Sequence, residues 1–308
     1  MTLQQLEYIV AVDKYRVFVQ AAESCGVTQS TLSSMILKLE EELDVTIFDR
    51  NSRPVVPTAA GEMIISQAKV VLFNVHQLEE MVQTEKQRNT GEINMAISAT
   101  IAPYITPKLF KYLHDHYPAV TIHASEMMRD EIIRKLEQAE IDVAIMSEPR
   151  KPDTLLEIPL FKEKYMAYVS PKSPLYYEES LDFQTMPREH LWGMKEDVSL
   201  QFQSPEICDE VVEHSSIYEA GNIPTLMMIV DENGGYMAIP ELHIKLLRES
   251  SVKHIRPLVN PEPYRIVSLF VRKDYFREKM LNIIAEAIKS IIPEEMLDEH
   301  LVKYPIRL

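Results

Sequence analysis

Glycine is scarce in this chain, with seven residues in 308, at positions 26, 61, 91, 193, 221, 234 and 235. No spacing among them gives a dinucleotide-binding fingerprint, a phosphate-cradling loop or a nucleophile elbow, each of which needs glycines at fixed intervals. The common nucleotide-using enzyme classes are thereby disfavoured. Cysteine is scarcer still: Cys25 and Cys208 stand far apart, with no zinc spacing and no disulfide framework. The chain turns polar at its second residue and holds no apolar run long enough for a bilayer. The expectation is a cytoplasmic protein with no membrane partner, no metal and no cofactor.

Positive charge is also in short supply. Lys and Arg number 32 against 47 Asp and Glu, a net charge of −15. Such a balance limits non-specific attraction to nucleic acid, because that attraction comes from basic groups releasing counterions. Apolar residues make up 46% and charged residues 26%, as in a soluble globular protein long enough for two or three domains.

What is present is concentrated between Ala21 and Arg50. Small Ala21 and Ala22 let a helix over about 18–24 approach a neighbour closely. Gly26 follows, suited to the positive φ of a tight turn. Thr28 has the side chain to cap the next helix, and Leu32, Ile36, Leu39 and Leu43 recur at threes and fours as one buried stripe. The other face carries Gln29, Ser30, Thr31, Ser33, Ser34 and Lys38, short hydrogen-bonding groups suited to base edges and phosphates. Leu37 also projects outward. Together these read as a helix-turn-helix.

Around this element the pattern continues. Thr2 with Gln5 forms a capping box ahead of a first helix. Residues 46–48 and 55–56 read as short strands flanking Asn51-Ser52-Arg53-Pro54, a wing whose Arg50 and Arg53 would reach the minor groove or the backbone. Five positive residues in 1–58 (Lys14, Arg16, Lys38, Arg50, Arg53) face eight negative ones, so DNA binding must rest on placement. Residues 58–87 read as one long helix with Ile64, Ala68, Val71, Val75, Leu78 and Val82 near a heptad seam. The expected partner is the same helix of a second copy, giving a dimer, or a tetramer, on a pseudo-palindromic double-stranded site. Packing against its own C-terminal domain is the alternative.

After a break at 88–92, β and α patterns alternate: strands at 93–98, 120–126 and 141–147 with helices between, a crossing near 164–171, and a return strand at 264–272. An amphipathic helix closes at 276–291, and a charged tail is expected at the periphery. Met227-Met228 and Trp192 read as core, and His114 and His116 fall on different helix faces, poor as metal ligands. Ligands of such folds gather at strand ends and helix N-termini. Those positions here are Ser98, Thr100, Arg129, Ser147, Ser199 and Arg265, with helix capping as the alternative role for Ser and Thr. Ser199 as a hydrolytic nucleophile lacks a base near it in sequence, so no enzyme is expected.

The stretches LQQLEYIVAV, AAESCGVTQSTLSSMILKLEEEL, IFDR and PTAAGE resemble the N-terminal domain of LysR-type transcriptional regulators, with Ser30 where many members have proline. The resemblance implies a winged helix-turn-helix (1–58), a dimerising linker helix (59–90) and a two-lobed α/β effector domain like the periplasmic binding proteins. Lobe I would comprise 91–163 with 265–308, and lobe II 164–264. It also implies RNA polymerase as a partner. TIAPYITPKL, PLFKE, PEPYR and KEDVSLQFQSPEIC are similar to the peroxide-sensing, OxyR-like branch. There a reactive cysteine pairs with a second one nine residues on. Cys208 matches the second, and Thr100 and Arg265 match residues of the peroxide pocket. Ser199 stands in place of the first, and a serine hydroxyl cannot climb the sulfur oxidation ladder. Val198, Phe202 and Arg129 replace the branch's usual histidine, aspartate and threonine. The resemblance therefore implies an OxyR-like regulator whose peroxide loop has drifted, or one answering to a small molecule or anion in the cleft between lobes.

Overall fold

The computed structural model describes residues 1–84, 91–147, 152–187, 191–194, 216–218, 222–275, 277–303 and 305–307. Two compact units emerge, one drawn from Met1–Arg88 with Glu137–Glu140 and the other from Asn89–Leu136 with Ile141–Leu308. No helix among the described residues is long and apolar enough to cross a membrane.

The first unit contains α1 (Leu3–Tyr15), α2 (Phe18–Ser24), α3 (Gln29–Leu43), β1 (Phe48–Asp49), β2 (Val56–Pro57) and α4 (Ala59–Thr84). Thr2 and Gln5 form the capping box that starts α1, and the Gln5 amide then donates to the Met35 carbonyl, tying α1 to α3. Gly26 adopts φ +68° between α2 and α3, a conformation that costs glycine no Cβ clash. The core joins Leu6, Ile9, Val12, Ala21, Ala22, Leu32, Ile36 and Leu39 to Ile47 and Phe48. The wing strands lie at 48–49 and 56–57, slightly later than the sequence pattern suggests, and the buried Glu40 carboxylate takes the amides of Ile47 and Phe48 at 2.7 and 3.2 Å. The seam of α4 is divided. Ile64, Ile65, Ala68, Val71 and Leu72 pack on the core of this same unit, whereas Leu78 stays 59% exposed.

The second unit runs β3 (Gly91–Ser98), α5 (Ala102–His116), β4 (Val120–Met127), α6 (Arg129–Glu137), β5 (Val143–Met146), β6 (Leu155–Val169), β7 (Leu181–Asp182), β8 (Leu191–Met194) and β9 (Ser216–Tyr218). It continues with α7 (Ile223–Asn233), β10 (Tyr236–Pro240), α8 (Glu241–Ile244), α9 (Glu249–Val252), β11 (Ile255–Val259), β12 (Tyr264–Arg272), α10 (Glu278–Ile291) and α11 (Glu299–Lys303). Among the described residues the strand order is β4-β3-β5-β12-β6-β10-β8-β9, with β11 pairing β6 and β7. β3 pairs in parallel with β4 and β5, as βαβ connections require.

The two lobes share strand β6. Its first half pairs with β12, and its second half pairs with β10 and β11. Beyond Lys164 the strand alternates between two cores: Tyr165, Ala167 and Val169 face Leu181, Phe183 and Leu258, whereas Met166 and Tyr168 face Leu226, Val230 and Met237. The tail is less peripheral than its charge suggests. Ile306 is buried, and its amide donates to the Asn282 side chain at 2.7 Å. Met228, read from sequence as core, is exposed on α7, while its neighbour Met227 packs inward. Trp192 is partly buried and donates to the Gly234 carbonyl.

Candidate nucleic-acid interface and sensor site

Helix α3 begins with the Thr28 hydroxyl accepting from the Thr31 amide at 3.2 Å. The same hydroxyl lies 2.9 Å from the hydroxyls of Ser30 and Thr31, and Ser34 donates to the Thr31 carbonyl. With Leu32, Ile36 and Leu39 fully buried, the opposite face leaves Gln29, Ser30, Thr31, Ser34 and Lys38 exposed. Polar groups and the first-turn amides of one helix therefore share a solvent-facing surface.

Arg50 is arranged differently from the sequence reading. Its guanidinium donates to Glu40 at 2.9 Å and to the Ser33 hydroxyl at 3.1 Å, and lies over the Phe18 ring at 5.3 Å from its centroid. It braces β1 against α3 and neutralises a carboxylate that is 9% exposed. Ser33 is correspondingly half-buried. Arg53, by contrast, is exposed in the wing turn. Asp13 is also neutralised, by Arg16 at 2.7 Å and Lys69 at 3.1 Å. With Glu42 held by the N-terminal ammonium at 2.5 Å, three of the eight acidic residues counted against DNA binding are paired within the unit.

In the second unit the sequence candidates separate into groups. Arg265, at the start of β12, is 2% exposed. Its Nε donates to Glu163 at 2.9 Å, one terminal nitrogen donates to the Thr100 hydroxyl at 2.9 Å, and the other reaches the Thr100 carbonyl and the Tyr104 hydroxyl. Tyr104 donates to the same Glu163 oxygen at 2.9 Å, while the other Glu163 oxygen accepts the Leu242 amide. Burial drives the Tyr104 phenol well above its usual range, so it stays a donor. Thr100 is therefore an acceptor for Arg265 and not a helix cap, and Ser98 lies 3.4 Å from its hydroxyl. Arg129 opens α6 and pairs with Asp130 at 2.9 Å. The Ser147 hydroxyl, just past β5, is buried without a hydrogen bond among the described residues. Ser199 and Cys208, with Val198 and Phe202, lie outside the described residues.

A cavity of about 480 Å³ opens between the lobes, lined by Glu126, Met127, Met128 and Glu131 on one side and Asn222, Ile223, Pro224 and His243 on the other. Arg265 is sealed behind Thr100 and Tyr104 and does not line it.

A helix-turn-helix followed by a two-lobed sheet is a combination that family models resolve. The model described as the LysR substrate binding domain matches residues 86–290, and the one described as the bacterial regulatory helix-turn-helix protein, lysR family, matches residues 3–62. The chain belongs to the LysR family. It is an OxyR-like, DNA-binding transcriptional regulator. A hydrogen peroxide-inducible genes activator from Haemophilus influenzae is 30% identical, covering 95% of this chain and 99% of that protein. The DNA-binding transcriptional dual regulator OxyR of Escherichia coli is 28% identical over 94% of this chain and 95% of its own. Among solved structures, a full-length OxyR variant from Pseudomonas aeruginosa superposes with a TM-score of 0.79 at 26% identity, covering 97% of this chain and 98% of that one.

For this LysR-type regulator, sequence reasoning singled out Thr100 and Arg265 as ligand positions, whereas the structure places them in a buried cluster with Glu163 and Tyr104, which it passed over along with His243. Glu163 had a readable signal. In Lys162-Glu163-Lys164-Tyr165, the alternation that exposes the lysines buries the glutamate with Tyr165 and Ala167. An acid on the apolar register of a strand needs a buried partner. His243 lies in a four-residue helix and had no such signal.

Proposed function

We propose that this regulator binds a pseudo-palindromic promoter site as a dimer or a tetramer, with α3 in the major groove. The observation that carries the reading is the solvent-facing set Gln29, Ser30, Thr31, Ser34 and Lys38 opposite a fully buried stripe. Arg53 supplies a backbone contact from the wing, and Arg50 with Ser33 holds the wing in register with α3. The exposed end of the α4 seam near Leu78 is the natural place for a second copy to pack. RNA polymerase is the partner through which such a dimer would act. Residues 1–58, 59–90, 91–163 with 265–308, and 164–264 are taken as its DNA-binding part, linker and two effector lobes.

The signal is the second half of the proposal. The Haemophilus influenzae relative is a hydrogen peroxide-inducible genes activator, yet a disulfide switch within the sensor loop needs two thiols, and this chain carries Ser199 with Cys208. A small molecule in the inter-lobe cavity is the input that the geometry supports best. Footprinting with the full-length protein on DNA upstream of its own gene tests both halves. A sequence-selective footprint unchanged by peroxide, in the native chain and in Cys208→Ser alike, is expected. Absence of any footprint would defeat the DNA-binding assignment, and a peroxide-dependent footprint lost in Cys208→Ser would return the signal to the thiol.

A further inference from the structure

The outward face of α3 is polar with one exception. At about 3.6 residues per turn, Ser30, Ser34 and Leu37 stand on one ridge, opposite the fully buried Leu32, Ile36 and Leu39. Leu37 is 44% exposed. A lone surface leucine is ordinary on a face that meets only solvent. This one stands on the ridge that the reading above turns toward DNA, where an apolar side chain has a different consequence. Glu41, the next residue along, is exposed and repels phosphate, so the ridge available to a duplex ends at Leu37.

The surroundings of Leu37 narrow what it can meet. α3 carries no arginine, and Arg50, which the wing directs at α3, is engaged by Glu40 and Ser33. Lys38, the one cation of the helix, lies about 100° around from Leu37, off the ridge. The hydroxyls on the ridge turn back to the helix itself. Ser34 donates to the Thr31 carbonyl at 3.0 Å, and Ser30 lies 2.9 Å from the Thr28 hydroxyl. The ridge therefore lacks the paired donors that read guanine in the major groove. It does hold an apolar group, and in that groove thymine alone of the four bases presents one, its 5-methyl.

We propose that Leu37 is a specificity-determining residue that reads thymine: its side chain closes on the 5-methyl group of one thymine in each half-site and excludes water from both. The proposal rests on α3 lying in the major groove, as set out under the proposed function, and adds which base this chain selects at one position. A cytosine or a purine at that position leaves the exposed leucine without an apolar partner, so the contact discriminates through a single methyl group.

Selection from a random-sequence duplex library by the full-length protein, followed by binding isotherms on the enriched duplex, tests it. Each thymine of that duplex is replaced in turn by uracil, which removes the methyl group and nothing else. At one thymine per half-site, uracil is expected to weaken binding by the native protein about three- to fivefold, the worth of one methyl taken out of water. In Leu37→Ala, whose thermal stability should match that of the native chain, thymine and uracil at that position should bind equally well. A uracil series without effect on the native protein would overturn the proposal. So would an equal loss in both proteins, since another group would then be reading the methyl.

Gln29→Ala separates this outcome from the reading on which it rests. If that variant enriches the native sequence unchanged, or if the native protein enriches none, α3 is not in the groove and both fall. If Gln29→Ala alters the enriched sequence while uracil remains without effect on the native protein, only the role of Leu37 is lost.

Discussion

The guanidinium of Arg265 meets the carboxylate of Glu163 at 2.9 Å in a place where neither side chain reaches water. Bringing both charges out of water is costly, and the pair endures because Thr100, Tyr104 and the Leu242 amide complete its hydrogen bonds.

Removing one partner should therefore be far worse than removing both. Glu163→Gln is expected to lose about 3–5 kcal/mol of stability in urea unfolding, since it strands a buried guanidinium. The Glu163→Leu, Arg265→Met double variant should recover part of that loss. Equal losses in the two would show that the pair is not acting as a unit.

Lys38 and Arg50 should respond oppositely to substitution. Lys38→Ala is expected to leave thermal stability unchanged while weakening DNA binding at every sequence and lowering the salt slope of affinity by about 1. Arg50→Ala leaves Glu40 without its counter-ion and should lower stability by roughly 1–3 kcal/mol. Melting curves with salt-dependent binding isotherms separate the two effects.

Gly61 lies in the first turn of α4 against the backbone of Ile47. A Cβ built there would fall 2.0 Å from the Ile47 carbonyl oxygen, which itself accepts the Thr58 amide at 2.9 Å. Gly61→Ala is expected to cost at least about 2 kcal/mol, because backbone must move to relieve the overlap. A variant as stable as the native chain would contradict this packing.

Acidification should destabilise the chain over a particular window. His243 sits at about 4 in the folded state, below its usual 6.5. The unfolded state therefore takes up the proton first as pH falls. The stabilising contribution is complete above about pH 6.5 and is lost progressively toward pH 4, by up to about 3 kcal/mol. His254 is pushed the same way by burial, against the pull of Asp231, and adds to the decline. Urea unfolding across that range should show a shallower fall for His243→Gln than for the native chain.

How far the sequence was legible depended on how far apart in the chain the partners lie. The turn at Gly26, the cap at Thr28 and the stripe from Leu32 to Leu39 all depend on neighbours within a few residues, and all were readable. The role of Arg50 was not, because its partners Glu40 and Ser33 lie 10 and 17 residues away and become adjacent only when the wing folds back. Arg265 and Thr100 are 165 residues apart and Tyr104 and Glu163 are 59 apart. Their meeting is a product of the sheet order. The α4 seam was read correctly as apolar, but periodicity does not name a partner, and its first half belongs to the core beside α1.

Glu163 gives one oxygen to Tyr104 and Arg265 and the other to the amide that opens α8. Tyr104 belongs to the lobe built on β3, β4 and β5, and α8 to the lobe built around β10. A single carboxylate thus serves as a rivet between the lobes: drawing them apart at this point would strand a charge in a dry place.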